Sequence, residues 1–123
     1  MVDAVRASHP HVPIILYISG AGGLLERMAA CRPDVLAVDA STDLADAIRR
    51  CGPDFAYQGN IDPGVLLGPE EVIDARVRET VAAAHSAGVR HVLNLGHGVL
   101  PTTPEAGVAR FCQAARELRY ADL

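Results

Sequence analysis

Apolar residues recur along this chain in two alternating patterns. Short unbroken runs occupy residues 13–18, 35–39, 55–58 and 91–95. They are too short for helices and lack the alternation of a half-exposed strand, so they predict parallel strands covered on both faces. Between them, apolar positions repeat every three or four residues: Leu24, Leu25, Met28 and Ala29; Leu44, Ala47, Ile48 and Cys51; Ile73, Val77, Val81 and Ala84; Val108, Phe111, Cys112 and Ala115. Each set predicts the buried stripe of a helix. Residues 1–8 carry Val2, Val5 and Arg6 at helical spacing and then meet His9 and Pro10, which predicts the last turns of a helix whose start could lie upstream.

Capping and stop residues sharpen these boundaries. Ser41 or Thr42 suits the N-cap of the second helical stripe, and Gly52 with Pro53 ends it. Pro69, Glu70 and Glu71 suit the first turn of the third, which Gly88 ends; Thr103 as N-cap and Pro104 as first residue open the fourth. Residues 120–123 carry no signal. Four strand–helix units with no linker between them predict one α/β domain over residues 1–123, built on a parallel sheet. Such sheets are open and doubly wound, or closed into a (β/α) barrel. In both, polar residues that follow the strands gather on one rim. That rim is expected to receive Ser19, Asp39, Gln58, Asn60, Asp62, Asn94 and His97.

His97 is the central candidate, because it stands between Gly96 and Gly98 at the end of a strand. The glycines permit a tight loop and close approach of a ligand, and imidazole titrates near neutrality. The alternative is an imidazole that only caps its loop. Gly20, Gly22 and Gly23 precede a helix and offer either an anion cradle or a tight turn, without the spacing of a known phosphate loop.

Composition narrows the chemistry. All 11 basic residues are arginine, and none directly follows a predicted strand, so a rim of amides, carboxylates and one imidazole cannot by itself neutralise a polyanionic substrate. Cations would have to come from outside this chain. The net charge of −4 gives no grip on nucleic acid, and the longest apolar run, residues 14–18, cannot cross a bilayer. Cys31, Cys51 and Cys112 are too widely spaced for a paired metal or redox site and read as small, reduced core residues of a cytoplasmic protein. Asp39, Asp62 and His97 all fall on the expected rim, but no His or Cys pair has ligand spacing, so no metal is expected.

Tyr57, Gln58, Gly59, Asn60, Ile61, Asp62 and Pro63, with Asn94, Leu95, Gly96, His97 and Gly98, closely resemble two strand-end motifs of the uroporphyrinogen decarboxylase family. The likeness continues through residues 20–26 and 39–52 and through Pro104, Glu105, Val108 and Phe111. Ala40 and Ser41 depart from it, standing where the family usually carries tryptophan and threonine. The resemblance implies the C-terminal half of a (β/α)8 TIM barrel, since a whole barrel needs about 250 residues. It also implies a carboxy-lyase of porphyrin and heme biosynthesis that removes the four acetate carboxyls of uroporphyrinogen to give coproporphyrinogen, with no cofactor. In that reaction a protonated pyrrole ring takes up the electron pair, carbon dioxide leaves, and the methylene carbon is reprotonated.

The resemblance places the substrate-binding histidine of the Gly-His-Gly motif on His97. The family's carboxylate-holding arginines, pyrrole-facing aspartate and catalytic tyrosine belong to an N-terminal part without counterpart here. The isolated chain is therefore expected to be inactive, with a homodimer or an N-terminal half-barrel as its partner. Cobalamin-linked methyltransferases of the same superfamily hold zinc through His-x-Cys where this chain reads Tyr17, Ile18, Ser19 and Gly20, which favours the decarboxylase branch. Two further readings are a non-enzymatic half-barrel and a fragment of a longer reading frame.

Overall fold

The computed structural model describes all of residues 1–123. Helix α1 (Val2–Ser8) leads into β1 (Ile15–Tyr17), followed by α2 (Leu25–Ala30), β2 (Val35–Ala37), α3 (Leu44–Cys51), β3 (Ala56–Ile61), α4 (Glu70–Ser86), β4 (His91–Leu95) and α5 (Glu105–Glu117). The four strands form one parallel sheet in sequence order. The four expected strand–helix units are all present, and short 3-10 turns at Ala21–Gly23, Pro63–Leu67 and Tyr120–Asp122 fill out the connections. No helix is long and apolar enough to cross a membrane.

Helices α2 to α5 cover one face of the sheet. Leu36, Val38 and Tyr57 pack with Leu25, Met28, Leu44, Ala47, Ile48 and Ala84 in the larger core. Ile61, Ile73, Val77 and Ala114 form a second core beside Leu93, Leu95 and Phe111. Arg110 clamps α5 to α4 by donating from Nε and Nη2 to the two carboxylate oxygens of Asp74, each at 2.6 Å.

The other face is bare. The register aligns Tyr17, Ala37, Gln58 and Val92 in one row across the sheet. Their side chains point away from the helices, since the neighbouring positions Leu16, Leu36 and Tyr57 belong to the core. Ile15, Tyr17 and Val92 are 53%, 45% and 49% exposed, which corrects the expectation of two covered faces. Four parallel strands do not close into a barrel, so this face encloses no interior and its side chains meet solvent.

Several local expectations change for identifiable reasons. β3 does not end at Gln58 but pairs with β4 through Ile61, with Gly59 opposite Leu93 and Asn60 opposite Asn94. Gly59 is thus part of the strand rather than of a turn, and its φ of +151° and the 3.0 Å that a Cβ would leave to the Val38 carbonyl oxygen favour glycine there. α3 is capped by Asp43, whose carboxylate accepts from the Asp46 N–H at 2.7 Å; Ser41 and Thr42 turn their hydroxyls to Asp39 instead. Pro104, in extended conformation, is the N-cap of α5, while Thr103 makes no capping bond and its buried Oγ1 has no partner. Cys31 and Cys112 are exposed and only Cys51 is part-buried, because the first two sit at the edges of their helical stripes.

Candidate active-site rim

The four strand ends meet at Gly96. It follows β4 directly, and its N–H continues the ladder to Ile61 O of β3 at 2.8 Å. Its Cα lies against the chain leaving β2, where a Cβ would come within 2.6 Å of Ala40 Cα and 2.8 Å of the Asp39 carbonyl carbon. Its carbonyl accepts from the hydroxyl of Tyr17 on β1 at 3.1 Å. The next residue is His97.

Around this junction lies an open groove of about 360 Å³ on the helix-free face, lined by Tyr17, Gln58, Asn94 and the turn Leu95, Gly96, His97, Gly98. Three of the rim residues read from the sequence, Gln58, Asn94 and His97, are thus brought together. The His97 ring is exposed, and its one polar contact within the chain is Nδ1 to Gly98 O at 3.4 Å. Asn94 Oδ1 is buried with no hydrogen-bond partner. Such an acceptor costs about 1–3 kcal/mol until a donor reaches it, and this chain supplies none.

The remaining candidates lie elsewhere. Asp39 is buried, and its carboxylate accepts from Gly20 N–H at 2.5 Å, Ser41 Oγ at 3.0 and 3.1 Å, and Thr42 Oγ1 at 3.2 Å. The anion seated at the glycine loop is therefore the chain's own side chain, and the loop is a turn. Asn60 donates through Nδ2 to the carbonyls of Asp39, at 2.9 Å, and Thr42. Asp62 caps the following 3-10 turn by accepting from Gly64 N–H at 2.7 Å. Asn60 and Asp62 line a separate cleft of about 350 Å³ beside α3 and α4, with Arg76 and Glu79. Ser19 stands exposed on the loop after β1.

Sequence reasoning passed over Tyr17 as a site residue. Its signal was positional: it is two residues after Ile15 in β1 and so shares the bare face. The arginines behave otherwise, pairing on the helix side and the lower end of the sheet: Arg6 with Asp34, Arg50 with Glu26 and Asp46, Arg76 with Glu79, and Arg110 with Asp74. Arg50 holds the Glu26 carboxyl down at about 2 by a hydrogen-bonded ion pair. No arginine lines the groove. The chain's His, Cys, Asp and Glu side chains form no cluster of three or more suited to a metal ion.

Four parallel strands in sequence order, helices on one face and polar side chains at the strands' C-terminal ends define half of a (β/α)8 barrel. One structural relative, a methyltransferase from Methanosarcina mazei, superposes with a TM-score of 0.74 at 25% identity, over 94% of this chain and 37% of that one.

The sequence profile of the uroporphyrinogen decarboxylase family (URO-D) matches residues 1–118, and the chain belongs to that family. It is 49% identical over 120 residues to the chloroplastic uroporphyrinogen decarboxylase of Nicotiana tabacum, covering 98% of this chain and 30% of that protein. Against the uroporphyrinogen decarboxylase of Nostoc punctiforme it is 50% identical over 117 residues, covering 95% of this chain and 33% of the relative. The chain thus spans about a third of the length of the curated relatives it matches.

Proposed function

We propose that this chain forms one wall of a uroporphyrinogen decarboxylase active site, with His97 facing the substrate. The observation that carries the reading is the convergence of His97, Asn94 and Gln58 on a single groove at the C-terminal end of the bare sheet face. Each turnover replaces a CH2–COO⁻ arm by CH3, releasing carbon dioxide and taking up one proton. The electron pair of the broken C–C bond passes into the pyrrole ring, which must first be protonated.

An imidazole beside the reacting arm binds an acetate in its charged form and polar atoms in its neutral form. Gln58 and Asn94 add amide groups to the lining of the groove. The groove holds no cation to neutralise several carboxylates, so those charges fall to a further four strand–helix units that close the barrel. Those units are the partner that fits this reading, and whole barrels of this kind would pair as homodimers. No separate cofactor enters the scheme. The three unpaired cysteines fit a reducing compartment such as the cytoplasm, although the tobacco relative is named chloroplastic. Methyl transfer through a bound zinc is less well served, since Tyr17, Ile18, Ser19 and Gly20 offer neither thiolate nor imidazole.

The test is turnover of uroporphyrinogen, followed as coproporphyrin after oxidation. The chain alone should give none, and the chain joined to the N-terminal two-thirds of the Nostoc relative should give product. In that joined protein His97→Ala should lower kcat/KM at least tenfold. Turnover by the isolated chain, or an undiminished His97→Ala protein, would refute the assignment.

A further inference from the structure

We infer that Tyr17 is a positioning residue that fixes His97 through the backbone of Gly96; this rests on the reading of the groove given above. Gly96 is held at its N–H by Ile61 and along its Cα by Ala40, both of which place the end of β4 but leave the next peptide plane free to rotate. The carbonyl of Gly96 belongs to that plane, which is the link to His97. Its hydrogen-bond partner is the Tyr17 hydroxyl, at 3.1 Å, reaching from 79 positions earlier in the chain.

Beyond this link nothing else holds the imidazole firmly. The ring is exposed, its Nδ1 contact to Gly98 O is long at 3.4 Å, and residues 97–102 are all exposed. Rotation of the Gly96–His97 peptide would swing the ring away from Gln58 and Asn94. The phenol opposes that rotation with one O–H donated to a carbonyl. Phenylalanine would fill the same space without the donor, so Tyr17→Phe separates the bond from the packing.

Two measurements test the inference, the first on the 123-residue chain and the second on that chain joined to the N-terminal two-thirds of the Nostoc relative. By NMR, Tyr17→Phe should shift the Gly96 carbonyl carbon and the His97 imidazole signals and lower the backbone order parameter at His97. The signals of His9, His11, His85 and His91 and the melting temperature should stay put. Unchanged Gly96 and His97 signals would overturn the tether. A fall in melting temperature with faster exchange throughout β1 and β2 would instead mark a general packing role and equally overturn it.

The second measurement titrates uroporphyrin, the unreactive oxidised form of the substrate, while observing the Gln58 and Asn94 side-chain amides. His97→Ala should abolish their response and Tyr17→Phe should weaken it several-fold. If His97→Ala responds like the parent, the reading of the groove fails, whereas the first measurement still decides the tether by itself.

Discussion

Gly96 and Ala40 are in backbone contact, and no side chain larger than hydrogen fits at position 96. An added methyl would come within 2.6 Å of Ala40 Cα, an atom of the main chain that cannot rotate aside. Gly96→Ala should therefore push the β4 end away from the β2 loop. Overpacking of this kind costs about 1–3 kcal/mol, and urea unfolding should show a lower midpoint with the slope little changed. The expected secondary effect is loss of the Tyr17 bond, visible as a shift of the Gly96 carbonyl carbon signal.

The Asp39 carboxylate gathers one N–H and two hydroxyl groups at a buried position. Asp39→Asn replaces an acceptor oxygen by an NH2 that faces donors, so the rim should lose about 1–3 kcal/mol. Hydrogen exchange at Gly20 checks the cause, because its amide would lose its acceptor. Asp43→Ala, which removes only the α3 cap, should cost about 1 kcal/mol and leave Gly20 unaffected.

Tyr57 is fully buried and donates to Gly52 O at 2.6 Å, and burial pushes its hydroxyl up from 10 to about 12. A raised value means the unfolded chain loses this proton first. Stability should be intact below pH 10 and fall as pH rises from 10 towards about 12. Tyr57→Phe should flatten that alkaline limb while lowering neutral stability by about 1 kcal/mol for the lost bond. Chemical denaturation at a series of pH values measures both.

His91 moves the opposite way. Burial holds its imidazole below the ordinary 6.5, opposed by the bond its Nε2–H donates to Gly59 O at 2.7 Å. Both states are neutral above 6.5, so the fold is fully stable there and weakens as pH drops below 6.5, where the unfolded chain takes up the proton first. His91→Gln should remove this part of the acid sensitivity, read as a smaller change in melting temperature between about pH 7 and 5.

Arg32 has φ +55°, a left-handed conformation just past the end of α2. Its backbone there suits glycine, and its guanidinium makes no ion pair or hydrogen bond. Arg32→Gly should stabilise the chain by up to about 1 kcal/mol, raising its melting temperature.

Much of this architecture was legible because strand and helix periods differ so clearly here. The runs at 13–18 and 91–95 and the stripe through Ile73, Val77 and Ala84 each turned out as the predicted type of element. What stayed hidden depended on contacts between distant segments. Gly59 and Asn60 look like turn residues until Leu93 and Asn94 are seen to pair with them. Asp39 looks like a rim acid until Gly20, Ser41 and Thr42 close around it. Ile15 and Val92 look like core residues, and the four strands present leave them in solvent. His97 stands out in the sequence by its flanking glycines at a strand end, whereas the bond of Tyr17 required knowing where Gly96 lies in space.

The arginine-free groove has a consequence for how the two parts of such a barrel would divide their work. Amides, a phenol and an imidazole discriminate by direction and distance rather than by attracting a polyanion from afar. Substitutions on this side should therefore alter how fast a seated arm reacts, and ionic strength should govern capture only through the complementary segment.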